Sequence, residues 1–279
     1  MLNFLKVKTI MMKKFCKLGL YLSTVFTSAA TIAQCDSLAV VEIQAPNTTS
    51  ICKPHLEVFF GYNTKHKAPS WGVYKMKSSI LDNPPVYLRY NGSHLPVPEV
   101  KHADQLKPSQ IIASGLSKAF LIPHYNVLNR ASQVNKFISM ANVVPVNSKD
   151  WRERSSDLMF ELGANEREML LAKGDFMVFS GVVYHDKKQK GVVSAKYIYK
   201  VYYHSLYDYT LSYLVPIKPN SPDLNKYITS INCIEKVSGH KLFSGYPLDV
   251  QKSIKNGVAF DKEHWAAPNS EAGICVLPN

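Results

Sequence analysis

The chain has 279 residues, of which 46% are hydrophobic and 19% are charged, and these proportions exclude a wholly disordered or collagen-like protein. Lysine and arginine number 33 against 21 aspartates and glutamates, so the formal net charge is +12. The length suits one large domain or two small ones, and the basic charge favours a polyanionic partner such as nucleic acid.

Residues 1–33 have the pattern of a secretory signal peptide. Five lysines and no acidic residue precede an apolar run from Leu18 to Phe26, and small residues follow it. This order predicts cleavage after Ala30 or Ala33 and a secreted or periplasmic location. The alternative is an uncleaved N-terminal anchor, but the apolar run is short for a membrane span. Removal of five lysines lowers the formal charge from +12 to +7, and no stable membrane anchor is then expected.

Four cysteines follow the predicted signal peptide, an even number that suits disulfides in an oxidising compartment. Four cysteines allow three sets of pairs. We expect Cys35–Cys52 and Cys233–Cys275, because each pair closes a local loop. Residues 34–55 are then a disulfide-tethered, irregular N-terminal arm, and residues 56–279 form the main domain.

The main domain combines predicted strands and helices. The residues 81–110 hold five prolines and are predicted to be irregular. A helix is predicted over Asp150–Lys173, with Gly163 as a candidate break, and a last helix from Ser221 as N-cap to Gly239. This order of predicted strands and helices indicates an α+β fold with a largely antiparallel central sheet flanked by helices. The predicted strands are Leu56–Tyr62, Ser70–Met76, Asp175–Tyr184 and a strand pair within Tyr197–Val215 around a turn near Asp208.

Six groups of short segments occur in a recognisable order: Gly61–Asn63 with Pro69–Tyr74, Ser114–Leu116 with Leu121–Pro123, Asn142–Pro145 with Asn147 and Trp151, Ser180–Gly181, Tyr199–Val201, and Ile231–Phe243. Together they resemble the DNA/RNA non-specific endonuclease family, the ββα-metal nucleases that include mitochondrial endonuclease G. The resemblance covers residues 56–247 and implies a ββα-metal nuclease-like fold. It also leaves a homodimer open, since some relatives pair.

The active-site motif departs from the family pattern. The family has Asp-Arg-Gly-His, then two residues and a proline, and the histidine is the base that activates water. Aligned on Pro123, the corresponding residues run from Ser117 to Phe120. Phe120 therefore stands at the base position and has no proton acceptor. Lys118 stands at the phosphate-contacting arginine position and keeps the charge without the bidentate fork. His124, four residues later, is a candidate substitute base.

The metal motif is also incomplete. The family holds one Mg²⁺ through an asparagine four residues before a tryptophan, and Asn147 and Trp151 keep that spacing. A glutamate that positions the metal waters is replaced by Ser155, and Glu153 lies about 200° away on a helix. Asn147 is therefore either the remaining ligand of a Mg²⁺ cofactor or a cap of the helix near Asp150.

Three functions follow from these residues. The leading hypothesis is an exported protein with the endonuclease fold and a degenerate catalytic centre that still binds nucleic acid or another polyanion. The second is a divergent, active Mg²⁺-dependent DNA/RNA endonuclease. The third is a secreted interaction module with no nucleic-acid role. The tyrosines between Tyr197 and Tyr213 are predicted to pack in the sheet rather than to stack on bases.

Overall fold

The computed structural model describes residues 43–53, 56–82, 94–128, 137–205 and 209–256, together with Cys275 and Leu277. The predicted signal peptide, Cys35 and the turn near Asp208 lie outside the described residues. None of the helices in the described part of the chain is both long enough and apolar enough to cross a membrane.

Eight strands are described: β1 Thr48–Lys53, β2 Val58–Asn63, β3 Ala68–Met76, β4 Leu116–Phe120, β5 Val143–Asn147, β6 Phe176–Tyr184, β7 Ala195–His204 and β8 Tyr209–Pro216. Six of them form one sheet in the order β1-β2-β3-β6-β7-β8, and every neighbouring pair is antiparallel. The strands β4 and β5 form a separate antiparallel pair. The predicted α+β fold with a largely antiparallel sheet is therefore confirmed.

The main helices are α1 Pro108–Ala113, α2 Ser156–Lys173, α3 Ile231–Ser238 and α4 Leu248–Asn256. A helical turn and a π-helical turn over residues 148–155 lead into α2, so the helical run predicted from Asp150 is present. The helix is not broken at Gly163. A Cβ atom there would lie 2.1 Å from the hydroxyl of Tyr125, so the missing side chain lets Tyr125 pack against the helix.

The helix predicted to begin at Ser221 begins instead at Ile231. Its N-cap is Ser230, whose side chain accepts a backbone N–H of the first turn. The Ser221 hydroxyl accepts the backbone N–H of Asp223, and the Asp223 carboxylate caps a short 3₁₀ turn. These side chains accept backbone N–H groups in short turns, and no longer helix forms at this point. Gly239 ends α3 at a φ of 70°, as predicted.

The described part of the N-terminal arm is more regular than expected. Thr48–Lys53 is the edge strand of the sheet and pairs with β2 along its whole length. Its Ile51 side chain is buried in the core, which fastens the strand to the domain. Cys52 is disulfide-bonded, and its predicted partner Cys35 lies outside the described residues. The predicted Cys233–Cys275 disulfide is confirmed.

The sheet separates two hydrophobic cores. One face packs against the β4–β5 pair and α2, and this core contains Val144, Leu158 and Tyr202. The other face packs against α3 and α4, and this core contains Trp71 and Ile234. The tyrosines of β7 and β8 whose side chains are described lie in these cores, which removes their rings from contact with bases. Five of them are at most 7% exposed: Tyr197, Tyr199, Tyr202, Tyr203 and Tyr213.

Candidate nucleic-acid interface

The β4–β5 hairpin and the following helix form a ββα unit that carries the predicted site residues. Phe120 pairs with Val143 at one end of the hairpin, and Asn147 pairs with Leu116 at the other end. The two ends are four residue positions apart along an extended strand, a distance of about 13 Å. The structure therefore does not bring Phe120 and Asn147 together. Lys118 lies between them on β4.

Two histidine rings flank Phe120. The ring centroid of His94 lies 5.8 Å from that of Phe120, and the ring centroid of His124 lies 6.0 Å from it. The Phe120 ring is half-buried against the first core. His124 begins a short 3₁₀ turn directly after Pro123, which places it beside the end of the hairpin. His94 was missed, because it lies within the proline-rich residues 81–110 and belongs to no motif.

Lys118 and His94 share one wall of a cavity. The Lys118 Nζ lies 3.4 Å from the His94 Nδ1. Burial, and then the Lys118 charge, lower the pKa of His94 to about 4, so its imidazole is neutral at pH 7. The cavity measures about 690 Å³, and Lys107 and His102 also line it. This end of the hairpin therefore presents positive charge beside a hollow of ligand-binding size.

Asn142 holds the segment that follows Phe120. Its Oδ1 accepts the Ile122 N–H at 2.8 Å, and its Nδ2 donates to the Ile122 carbonyl at 3.0 Å. The backbone carbonyl of Asn142 also accepts the N–H of Leu121. Asn142 is fully buried, so these bonds are shielded from water. The asparagine that resembles part of the family's metal segment serves here to fix the main chain beside Phe120.

Glu166 holds the next part of the same segment. Its Oε2 accepts the Asn126 Nδ2 at 2.6 Å and the Tyr74 hydroxyl, and its Oε1 accepts Lys200 and the Tyr202 hydroxyl. Burial, and then the Glu166 charge, raise the pKa of both tyrosines, so both remain protonated donors. The carboxylate thereby joins α2, the sheet and the loop that follows His124.

The residues at the expected Mg²⁺ site do not fit that ion. The Asn147 Oδ1 accepts the backbone N–H groups of Lys149 at 3.0 Å and Asp150 at 3.2 Å, which is the geometry of a helix cap. Ser155 is 1% exposed and donates to the Ile217 carbonyl inside the protein. Among the described residues, no three His, Cys, Asp or Glu side chains cluster where they could hold a metal.

Comparison with known proteins supports the fold. No family model and no curated protein matches the chain. Among solved structures 127 chains match, and one of them belongs to the crystal structure of the EndoG/EndoGI complex, which concerns the mechanism of EndoG inhibition. That match has a TM-score of 0.60 and 13% sequence identity, and it covers 76% of this chain and 90% of the other.

At this identity the likeness defines the class of fold. The protein has an endonuclease-like α+β architecture, with a mostly antiparallel central sheet flanked by a few helices. Within that class, its architecture is similar to the EndoG-type nuclease fold.

Proposed function

We propose that this protein is an exported nucleic-acid-binding protein that uses the endonuclease-like fold without the family's hydrolytic mechanism. The observation that carries the proposal is Phe120, which occupies the base position and packs between two histidine rings. A phenyl ring cannot take a proton from water. General-base catalysis is typically worth about 10²–10⁴-fold in rate, so its loss removes most of the hydrolysis expected of the fold.

The binding part of the proposal rests on the basic wall beside Phe120. Lys118 and Lys107 line the same cavity, and His94 and His102 also line it. Lysines that contact phosphates release counterions from nucleic acid, so the affinity should fall as salt rises. The formal charge of +7 that remains after the predicted cleavage supports attraction of a polyanion over a longer range.

Binding is tested by fluorescence anisotropy with a labelled DNA duplex between 50 and 200 mM salt, conditions chosen to expose the salt dependence. Lys118→Gln should weaken binding to all sequences and lower the slope of log affinity against log salt by about one phosphate contact. Lys226→Gln is the matched control, because Lys226 is an exposed lysine in the turn before α3. Binding that is unchanged in Lys118→Gln would contradict the proposed interface.

Catalysis is tested by plasmid nicking with Mg²⁺ or Mn²⁺ and an EDTA control. We expect no metal-dependent nicking by the wild-type protein. Phe120→His alone should also remain inactive, because Asn147 and Ser155 are engaged in structural hydrogen bonds. If the wild-type protein nicks the plasmid and EDTA abolishes this activity, the proposed loss of metal-dependent hydrolysis is wrong.

A divergent, active endonuclease is the second candidate, and one observation favours it. His94 and His124 both lie beside Phe120, and a neutral imidazole can accept a proton. In that case His94→Gln or His124→Gln should abolish nicking, whereas Phe120→Ala should retain it. If the protein neither binds nor cleaves nucleic acid, the secreted interaction module becomes the better reading.

A further inference from the structure

A second cavity, of about 610 Å³, lies on the α3 side of the sheet. Its walls come from the β2–β3 turn, the ends of β6 and β7, the end of α3 and Cys275, and no residue of the β4–β5 hairpin lines it. The Cys233–Cys275 disulfide ties the wall at Cys275 to α3. The volume is within the range of small-molecule sites, and the cavity is separate from the proposed nucleic-acid interface.

The lining of this cavity is strongly basic. Lys65, Lys196 and Lys236 all contribute to it, and Asp186 is the one carboxylate in its described lining. None of these three lysines forms an ion pair with a carboxylate of the described residues. Burial and then the Lys196 charge lower the pKa of His185 in the same wall, against a smaller opposing effect of Asp186. The cavity therefore favours a negatively charged occupant.

A buried chain of hydrogen bonds ends at the cavity wall. The Ser70 hydroxyl lies 2.9 Å from the His240 Nε2, and the His240 Nδ1 lies 2.8 Å from the Tyr199 hydroxyl. All three residues are at most 4% exposed. Ser70 is the extra residue of a β-bulge in β3, and such a bulge re-aims a side chain. The Tyr199 ring fits across Gly181, where a Cβ atom would lie 2.0 Å from it.

The hydrogen bonds that join Ser70, His240 and Tyr199 have a preferred direction of donation. Burial lowers the pKa of His240 to about 4, so at neutral pH one ring nitrogen donates and the other accepts. Burial also raises the pKa of the Tyr199 hydroxyl, which therefore keeps its proton. When Tyr199 donates to Nδ1, the Nε2–H donates to the Ser70 oxygen. In the opposite order, the Tyr199 proton would have no acceptor among the described contacts, which is unfavourable for a buried donor.

The preferred order leaves the Ser70 hydroxyl hydrogen to donate at the cavity wall. It also distinguishes this group from a serine nucleophile, because His240 then donates to Ser70 and cannot take its proton. A hydroxyl donor in the same lining as three lysines that form no ion pair among the described residues suits a compact anion with more than one charge. We propose that this cavity binds a phosphorylated small molecule, with Ser70 donating to a phosphate oxygen and the lysines Lys65, Lys196 and Lys236 neutralising its charge.

Calorimetric titration of the full mature protein with inorganic pyrophosphate, and separately with a 5′-mononucleotide, tests the proposal. We expect saturable binding of at least one probe at one site per chain. Ser70→Ala should weaken it about tenfold, the effect of losing one hydrogen bond to a charged group. Lys196→Gln should weaken it several-fold, and the exposed control Lys226→Gln should leave it unchanged. Circular dichroism checks that each variant is folded.

Tyr199→Phe provides a second, independent variant. It keeps the ring beside Gly181 and removes the donor to the His240 Nδ1, so we expect it to weaken binding as Ser70→Ala does. The absence of saturable binding by both probes would overturn the proposal. So would binding that Lys118→Gln weakens and Ser70→Ala does not, since it would place the anion at the hairpin. Covalent labelling of Ser70 by a fluorophosphonate would overturn the proton order.

Discussion

Lys200 and Glu166 form an ion pair in which neither side chain has any exposure to solvent. Lys200 lies in β7 and Glu166 in α2, so the pair fastens the helix of the ββα unit to the central sheet. A buried charge without its partner is strongly unfavourable, whereas a neutral replacement of both charges is far less so. The position of α2 therefore depends on this pair.

Lys200→Met should lower the free energy of unfolding by about 3–5 kcal/mol, because it leaves the Glu166 carboxylate buried without its cation. The double variant Lys200→Met/Glu166→Gln should recover part of this loss, because the amide oxygen still accepts bonds and carries no charge. Urea unfolding followed by circular dichroism measures both. A double variant less stable than the single one would argue against the ion pair as the origin of the loss.

Asn142→Ala should destabilise the protein more than Asn147→Ala. The first leaves both backbone groups of Ile122 without their partners inside the core, at a cost of roughly 2–4 kcal/mol. The second removes an exposed helix cap, which costs about 1 kcal/mol. Chemical denaturation of the two variants under the same conditions checks the order. The reverse order would mean that Asn147 does more than cap the helix.

The stability of the protein should fall as the pH drops from 6.5 towards 4, in part because of His240. Burial lowers its folded-state pKa to about 4, so over this interval the unfolded chain binds a proton that the folded chain does not. The lowered pKa of His240 accounts for a decrease of about 3 kcal/mol in the free energy of unfolding once the pH falls below this pKa. Urea unfolding at several pH values should give a shallower dependence for His240→Gln than for the wild-type protein. Parallel curves would rule out this contribution.

Loss of the Cys233–Cys275 disulfide should also lower stability. The two cysteines are 42 residues apart, and a closed loop of that length predicts a loss of about 4 kcal/mol by the chain-entropy argument. Thermal unfolding of Cys233→Ala/Cys275→Ala against the oxidised wild-type protein measures it. Reduction of the disulfide in the wild-type protein should also lower the thermal stability. Unchanged stability in both the variant and the reduced protein would contradict the prediction.

The candidate site was only partly predictable from sequence. Phe120, Lys118 and His124 follow from the alignment on Pro123, and the structure places His124 beside Phe120 at one end of the hairpin and Lys118 in the middle of β4. Asn147 fitted both a ligand and a cap, because the same spacing serves either role. The hydrogen bonds of its side chain show that it caps the helix.

Several strands and the end of α3 at Gly239 were determined by the sequence itself, because alternating burial and a left-handed glycine are local properties of the chain. The prediction that the last helix begins at Ser221 was wrong. Ser221 and Ser230 are both local capping residues, and the helix begins after Ser230. The partnership of Ser70 with His240, 170 residues apart, was decided by the tertiary structure alone. Such contacts depend on strand register, a bulge and the packing of α3, which no short segment encodes.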